Sequence, residues 1–78
     1  NNTVHLRHKK IGLKNSLKVE RAKKDLTQED LAKLIGVSRQ TINAVEKGRY
    51  VPSTVLALKM SKLFGIPVND FFTLEENE

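Results

Sequence analysis

The chain has 78 residues, 38% of them hydrophobic, 29% charged and 5% aromatic, with 14 Lys+Arg against 9 Asp+Glu for a net charge of +5. That length accommodates one small domain with a modest core, and excludes a second domain or a core wrapped around an enclosed catalytic cavity. No apolar run approaches the roughly 20 residues that span a bilayer, no apolar stretch follows the basic N-terminal end as in a secretory leader, and without cysteine there are no disulfides or thiolate metal sites, so the expected compartment is the cytoplasm.

The charge is unevenly spread. Residues 1–24 carry Arg7, Lys9, Lys10, Lys14, Lys18, Arg21, Lys23 and Lys24 against the single acid Glu20, whereas residues 64–78 carry Asp70, Glu75, Glu76 and Glu78 and no base. A small basic protein is a candidate for binding a polyanion. Residues 1–10 show no periodicity and are expected to be a flexible basic tail. His5 and His8 within it have no third ligand nearby, so no metal site is expected.

The first helix is expected from about Leu17 to Lys24, capped by Asn15 or Ser16. Thr27 opens the second: its hydroxyl suits the amide three residues on, and Glu29 and Asp30 set negative charge in the positive first turn. Leu31, Leu34 and Ile35 form an apolar stripe at helical spacing, and Gly36 stops the helix. Ser38 caps the third, which turns Ile42 and Val45 inward and Arg39, Gln40, Asn43 and Lys47 elsewhere; Gly48 ends it. Arg49-Tyr50-Val51-Pro52 is a loop, because Pro52 biases Val51 to an extended form. Ser53 caps the fourth helix, whose inner face is expected to hold Val55, Leu56, Leu58, Met60, Leu63 and Phe64, with Lys59 and Lys62 outside. Gly65 closes it. Pro67 starts a short fifth helix over about 67–71. Ile11-Gly12-Leu13 and Phe72-Thr73-Leu74 are β-prone, and residues 75–78 form an acidic end.

The most informative stretch is Gln28 to Gly48. Two short helices joined by Ile35-Gly36-Val37-Ser38 are too tightly linked to lie antiparallel and must cross steeply. The crossing needs a small residue, which Ala32 supplies, and a turn residue tolerant of positive φ, which Gly36 supplies. Ile42 and Val45 seat the second of these helices, leaving its opposite face free to enter a groove.

Thr27-Gln28-Glu29-Asp30-Leu31-Ala32, Ile35-Gly36-Val37-Ser38-Arg39-Gln40-Thr41-Ile42-Asn43 and Glu46-Lys47-Gly48 closely resemble the Cro and lambda-repressor-like (XRE) helix-turn-helix family. The likeness is greatest to its small stand-alone prokaryotic regulators, and covers about residues 15–74. It implies an all-α, five-helix DNA-binding domain over residues 11–74, with the motif at 28–48. It also leaves room for a short two-stranded antiparallel sheet formed by the N- and C-terminal ends.

In that family the second motif helix lies in the major groove with its N-terminal residues at base edges. Carried over, the base readers are Arg39 and Gln40, with Ala44 one turn later. Arg suits guanine O6 and N7, Gln suits adenine N6 and N7, and Ala suits a thymine methyl. Asn43, one turn beyond Arg39, is a further candidate for a base or a phosphate. Backbone phosphates position the duplex. The resemblance assigns one to Gln28, and Ser38, Thr41, Lys47, Arg49 and Tyr50 stand at the ends of the third helix or in the loop after it. The competing expectation for Thr41 is a bond to its own helix backbone. Arg21 and Glu46 match positions where the family ties its first and third helices by a partly buried ion pair. Some relatives pair their ends in a small sheet and dimerise there, which places Leu13, Ile66, Phe71, Phe72 and Leu74 near a homodimer interface. The alternative is that Phe71 and Ile66 complete the monomer core.

The resulting expectation is a sequence-specific regulator of double-stranded DNA, a repressor by default, that binds an inverted-repeat operator as a homodimer. It has no cofactor, no metal, no membrane partner and no evident small-molecule effector. An enzyme is not expected, since no nucleophile–base pair, phosphate-cradling loop or paired carboxylates occur. Two alternatives remain: an antitoxin that represses its own operon, and a protein-interaction adaptor that keeps the fold without reading DNA. The polar, basic face of Arg39, Gln40, Lys47 and Arg49 counts against the adaptor.

Overall fold

The computed structural model describes residues 10–77; residues 1–9 of the expected tail, with His5 and His8, and Glu78 lie outside the described residues, while Lys10 belongs to a strand and not to a tail. In chain order the elements are β1 (Lys10–Asn15), α1 (Leu17–Lys23), α2 (Gln28–Ile35), α3 (Arg39–Glu46), α4 (Thr54–Phe64), a 3₁₀ turn (Val68–Asp70) and β2 (Phe72–Asn77).

Helix starts follow from hydroxyl caps. Thr27 Oγ1 accepts the Asp30 N–H at 3.0 Å, and Asp30 Oδ2 accepts the Thr27 N–H at 3.0 Å, closing a capping box. Ser38 Oγ accepts from the Thr41 N–H and Ser53 Oγ from the Leu56 N–H, each at 3.1 Å. At α1 the residue that bonds is Asn15, whose Oδ1 accepts the Leu17 N–H at 3.0 Å; the Ser16 side chain makes no capping bond. The turn between α2 and α3 requires Gly36, whose φ of +80° would strain any side chain.

The core joins Leu17, Leu31, Ala32, Ile35, Ile42, Val45, Leu56, Met60, Phe64, Phe71 and Phe72. Phe71 meets Phe64 edge-on, with centroids 5.4 Å apart and planes at 86°. Ala32 is buried where a larger side chain would hold α2 and α3 apart. Three expected core positions are not core. Leu34 is 59% exposed, Val55 63% and Leu58 57%. Helix α2 beds down on Leu31, Ala32 and Ile35, which rolls Leu34 to the flank. Helix α4 buries the i, i+4, i+8 line Leu56, Met60 and Phe64, which leaves Val55 and Leu58 off it.

Among the described residues the fold is therefore four α-helices and a two-stranded sheet, and the expected fifth helix is a single 3₁₀ turn. Pro67 is extended (φ −62°, ψ 152°), so the helical path begins only at Val68. It ends at Phe71, whose ring is drawn into the core at 1% exposure and whose N–H donates to the Val68 carbonyl at 3.1 Å. From Phe72 the backbone is taken up by the sheet. β1 and β2 are antiparallel, from Lys10 opposite Asn77 to Asn15 opposite Phe72. The Ser16 N–H adds a bond to the Phe71 carbonyl at 3.0 Å.

Candidate nucleic-acid interface

Buried Ile42 and Val45 fix how α3 rotates about its axis. That rotation leaves Arg39 and Gln40 exposed in its first turn, and Asn43 and Ala44 half-buried one turn later. Neither Arg39 nor Gln40 makes a side-chain hydrogen bond or ion pair among the described residues. Both are free to meet a ligand.

Ser38 and Thr41 stand together at the start of α3, their hydroxyls 3.0 Å apart. The Thr41 hydroxyl thus meets a side chain rather than its own helix backbone. Lys47, Arg49 and Tyr50 are exposed beyond the other end of the helix. Among the described residues neither cation has an acid partner. The one acid on α3, Glu46, is turned inward: Arg21 Nε donates to its Oε2 at 2.8 Å and Arg21 Nη2 to its Oε1 at 3.4 Å. Arg21 Nη1 also donates to the Leu26 carbonyl at 2.8 Å. The two side chains are 14% and 8% exposed, so the expected ion pair between the first and third helices is present and partly buried. The outward face of α3 is left uncompensated and positive.

Gln28 is half-buried at the start of α2. Its Nε2 donates to Glu46 Oε1 at 3.0 Å, and its Oε1 accepts from Asn43 Nδ2 at 3.4 Å. The amide nitrogen keeps a second N–H, which is available to a phosphate. The tie between Gln28 and Asn43 was not anticipated from sequence. Nor was the role of Asn15, whose Nδ2 donates to the Val45 carbonyl at 2.9 Å and the Glu46 carbonyl at 3.4 Å. It satisfies the last carbonyls of α3 from the end of β1.

The residues expected at a dimer interface divide. Phe71 and Phe72 belong to the core of one chain, Leu13 and Ile66 are half-buried against it, and Leu74 is 69% exposed. Both strands of the sheet come from the same chain. Leu13, Phe72 and Leu74 line, with Val45, Tyr50 and Val51, an apolar groove of about 380 Å³ between the sheet and the loop after α3.

No helix among the described residues is long and apolar enough to cross a membrane, and no three His, Cys, Asp or Glu side chains among them cluster as a metal site would need. The arrangement is a short helix with long, unpartnered hydrogen-bonding side chains at one end and cations at the other. A DNA major groove is wide enough to admit such a helix.

Comparison with known proteins agrees. The helix-turn-helix family profile matches residues 17–71. The chain is 58% identical over 66 residues to an HTH-type transcriptional regulator of Methanocaldococcus jannaschii, covering 85% of this chain and 100% of that one. It is similar in structure to the SOS-response transcriptional repressor LexA of Eubacterium rectale, with 37% identity and a TM-score of 0.65 over 69% of this chain and 57% of that one. It is also similar to the restriction-modification controller protein C.AhdI of Aeromonas hydrophila, with 35% identity and a TM-score of 0.63 over 69% of this chain and 82% of that one.

Proposed function

The chain belongs to the XRE family of helix-turn-helix transcriptional regulators, and on that premise we propose that it is a sequence-specific repressor that binds an inverted-repeat operator as a homodimer, with α3 in the major groove. The observation that carries the reading is the pose of α3. Ile42 and Val45 pin one face, and Arg39 and Gln40 stand unpartnered on the other. Arg39, Gln40, Asn43 and Ala44 then read base edges. Gln28, Ser38, Thr41, Lys47, Arg49 and Tyr50 hold phosphates on either side.

Repression rests on the kinds of protein this chain resembles, which include a named repressor and a named controller protein. The homodimer rests on Leu74, an exposed leucine on a strand whose partner Leu13 is half-buried. A second copy packed on that side would cover Leu74 and the groove beside it. Phe72 lines that groove, and Phe71 supports the surface from the core.

Selection of sites from a randomised duplex pool at physiological salt tests the reading. An enriched inverted repeat with half-sites about one helical turn apart is expected. A single enriched half-site would retain the DNA reader and refute the dimer. Absence of any enrichment would refute sequence reading.

A further inference from the structure

Arg21, Glu46, Gln28 and Asn43 form one hydrogen-bonded chain that starts on α1 and ends on the outward side of α3. The links are Arg21 Nε to Glu46 Oε2 at 2.8 Å, Gln28 Nε2 to Glu46 Oε1 at 3.0 Å, and Asn43 Nδ2 to Gln28 Oε1 at 3.4 Å. Each link has a direction. A carboxylate only accepts, so the side of the Gln28 amide that faces Glu46 must be its NH2. A flipped amide would set Gln28 Oε1 against the carboxylate, acceptor to acceptor. With Nε2 committed inward, Oε1 faces Asn43, which must answer with its own NH2. The Asn43 Oδ1 is then the atom without a partner among the described residues, and one N–H remains beside it.

We infer that the Arg21–Glu46 pair, acting through Gln28, fixes which atoms Asn43 presents to DNA, and so makes Asn43 select an A·T pair through adenine N6 and N7. This deepens the DNA-reading role proposed above and rests on it. In the major groove adenine offers N6–H2 as donor and cytosine offers N4–H2; adenine adds N7 for the remaining N–H of Asn43. Guanine O6 and thymine O4 are acceptors and oppose the free Oδ1. Every Watson–Crick pair holds one amine-bearing base, and only adenine sets the acceptor N7 beside that amine on the same base, so A·T is preferred over G·C. Gln28 and Glu46 are positioning residues here: neither needs to touch the base.

Site selection is repeated with Asn43→Ala, Gln28→Ala and Glu46→Gln. Asn43→Ala identifies the base pair that this residue reads. At that pair the wild type is expected to favour A·T over G·C by about tenfold. Gln28→Ala and Glu46→Gln are expected to cut that preference to about threefold or less while leaving the preference at the Arg39 base pair intact. Loss of affinity for all sequences alone would not mimic this pattern. Enrichment of G·C at the Asn43 pair in the wild type would overturn the inference, as would a preference that survives Gln28→Ala. If the wild type enriches no sequence, the DNA-reading proposal falls and takes this one with it; enrichment that is insensitive to the variants sinks this one alone. Gln28→Ala leaves the ion pair whole, so it serves if Glu46→Gln does not fold. The side-chain NH2 signals of Asn43 in ¹⁵N spectra of the free protein give a readout without DNA. They are expected to shift in Gln28→Ala, and unmoved signals would refute the chain.

Discussion

Arg21 of α1 and Glu46 of α3 lie 25 residues apart in the chain and meet at 2.8 Å. The contact anchors the C-terminal end of α3 to a helix outside the motif. Both side chains are largely withdrawn from water, so removing one strands the other. Arg21→Met is expected to cost about 3 kcal/mol of folding stability, read by urea denaturation. A loss under about 1 kcal/mol would mean that the pair behaves as a surface salt bridge.

Arg39 makes no contact that folding depends on. Arg39→Ala should leave the urea midpoint in place, weaken operator binding by about 1–3 kcal/mol and relax selectivity at one base pair. Titration of operators carrying each base at that pair checks it. An unchanged ranking of the four would remove Arg39 from base reading.

Lys47 stands just past α3 as a charge without an acid partner among the described residues. Lys47→Ala is expected to weaken binding to operator and to random duplex alike. The slope of log affinity against log salt should flatten by about one. A sequence-dependent loss would assign this side chain to a base edge instead.

Thr27 and Asp30 bond each other reciprocally at the start of α2, and Thr27→Ala should lower stability by about 1 kcal/mol. The Thr27 backbone N–H, then the Thr27 hydroxyl, hold the Asp30 carboxyl below its usual value of 3.8. A depressed folded-state value means that the ionised carboxylate favours the folded chain. Its contribution is complete above the unfolded value and is lost as pH falls through the folded one. The gap in melting temperature between the wild type and Asp30→Ala should therefore hold at neutral pH and close as pH drops below 3.8. A gap that stays constant into acid would show that the box does not depend on the charge.

Leu74 is the exposed member of the cross-strand pair with Leu13. Leu74→Asp is expected to convert dimer to monomer in sedimentation equilibrium without lowering the melting temperature of the monomer. A dimer that persists would place the interface elsewhere.

The sequence was legible where structure depends on residues three or four apart. Thr27, Ser38 and Ser53 cap their helices and Gly36 ends one because each rule is local. Arg21 with Glu46 was visible only through the family resemblance. What stayed hidden depends on how packed helices roll about their axes. Leu34 sits on the expected stripe yet faces water, since Ala32 and Ile35 decide where α2 touches its neighbours. Asn15 was one of two cap candidates and its Oδ1 takes the Leu17 N–H, but its amide nitrogen also reaches carbonyls 30 and 31 residues away. Gln28 could be nominated for a phosphate from its place in the motif. Its second partner, Asn43, appears only once α2 and α3 are crossed.

The sheet has a geometric consequence for anything joined to this domain. Asn15 and Phe72 form its inner rung, against the end of α3, while Lys10 and Asn77 form the outer rung. Five residue steps separate the rungs, about 17 Å of strand. The backbone thus enters and leaves the described fold on one rung, at the end of the sheet opposite the Asn15 contact with α3. A tether joined on each side would start from neighbouring points, five steps along the strands from the Asn15 contact with α3.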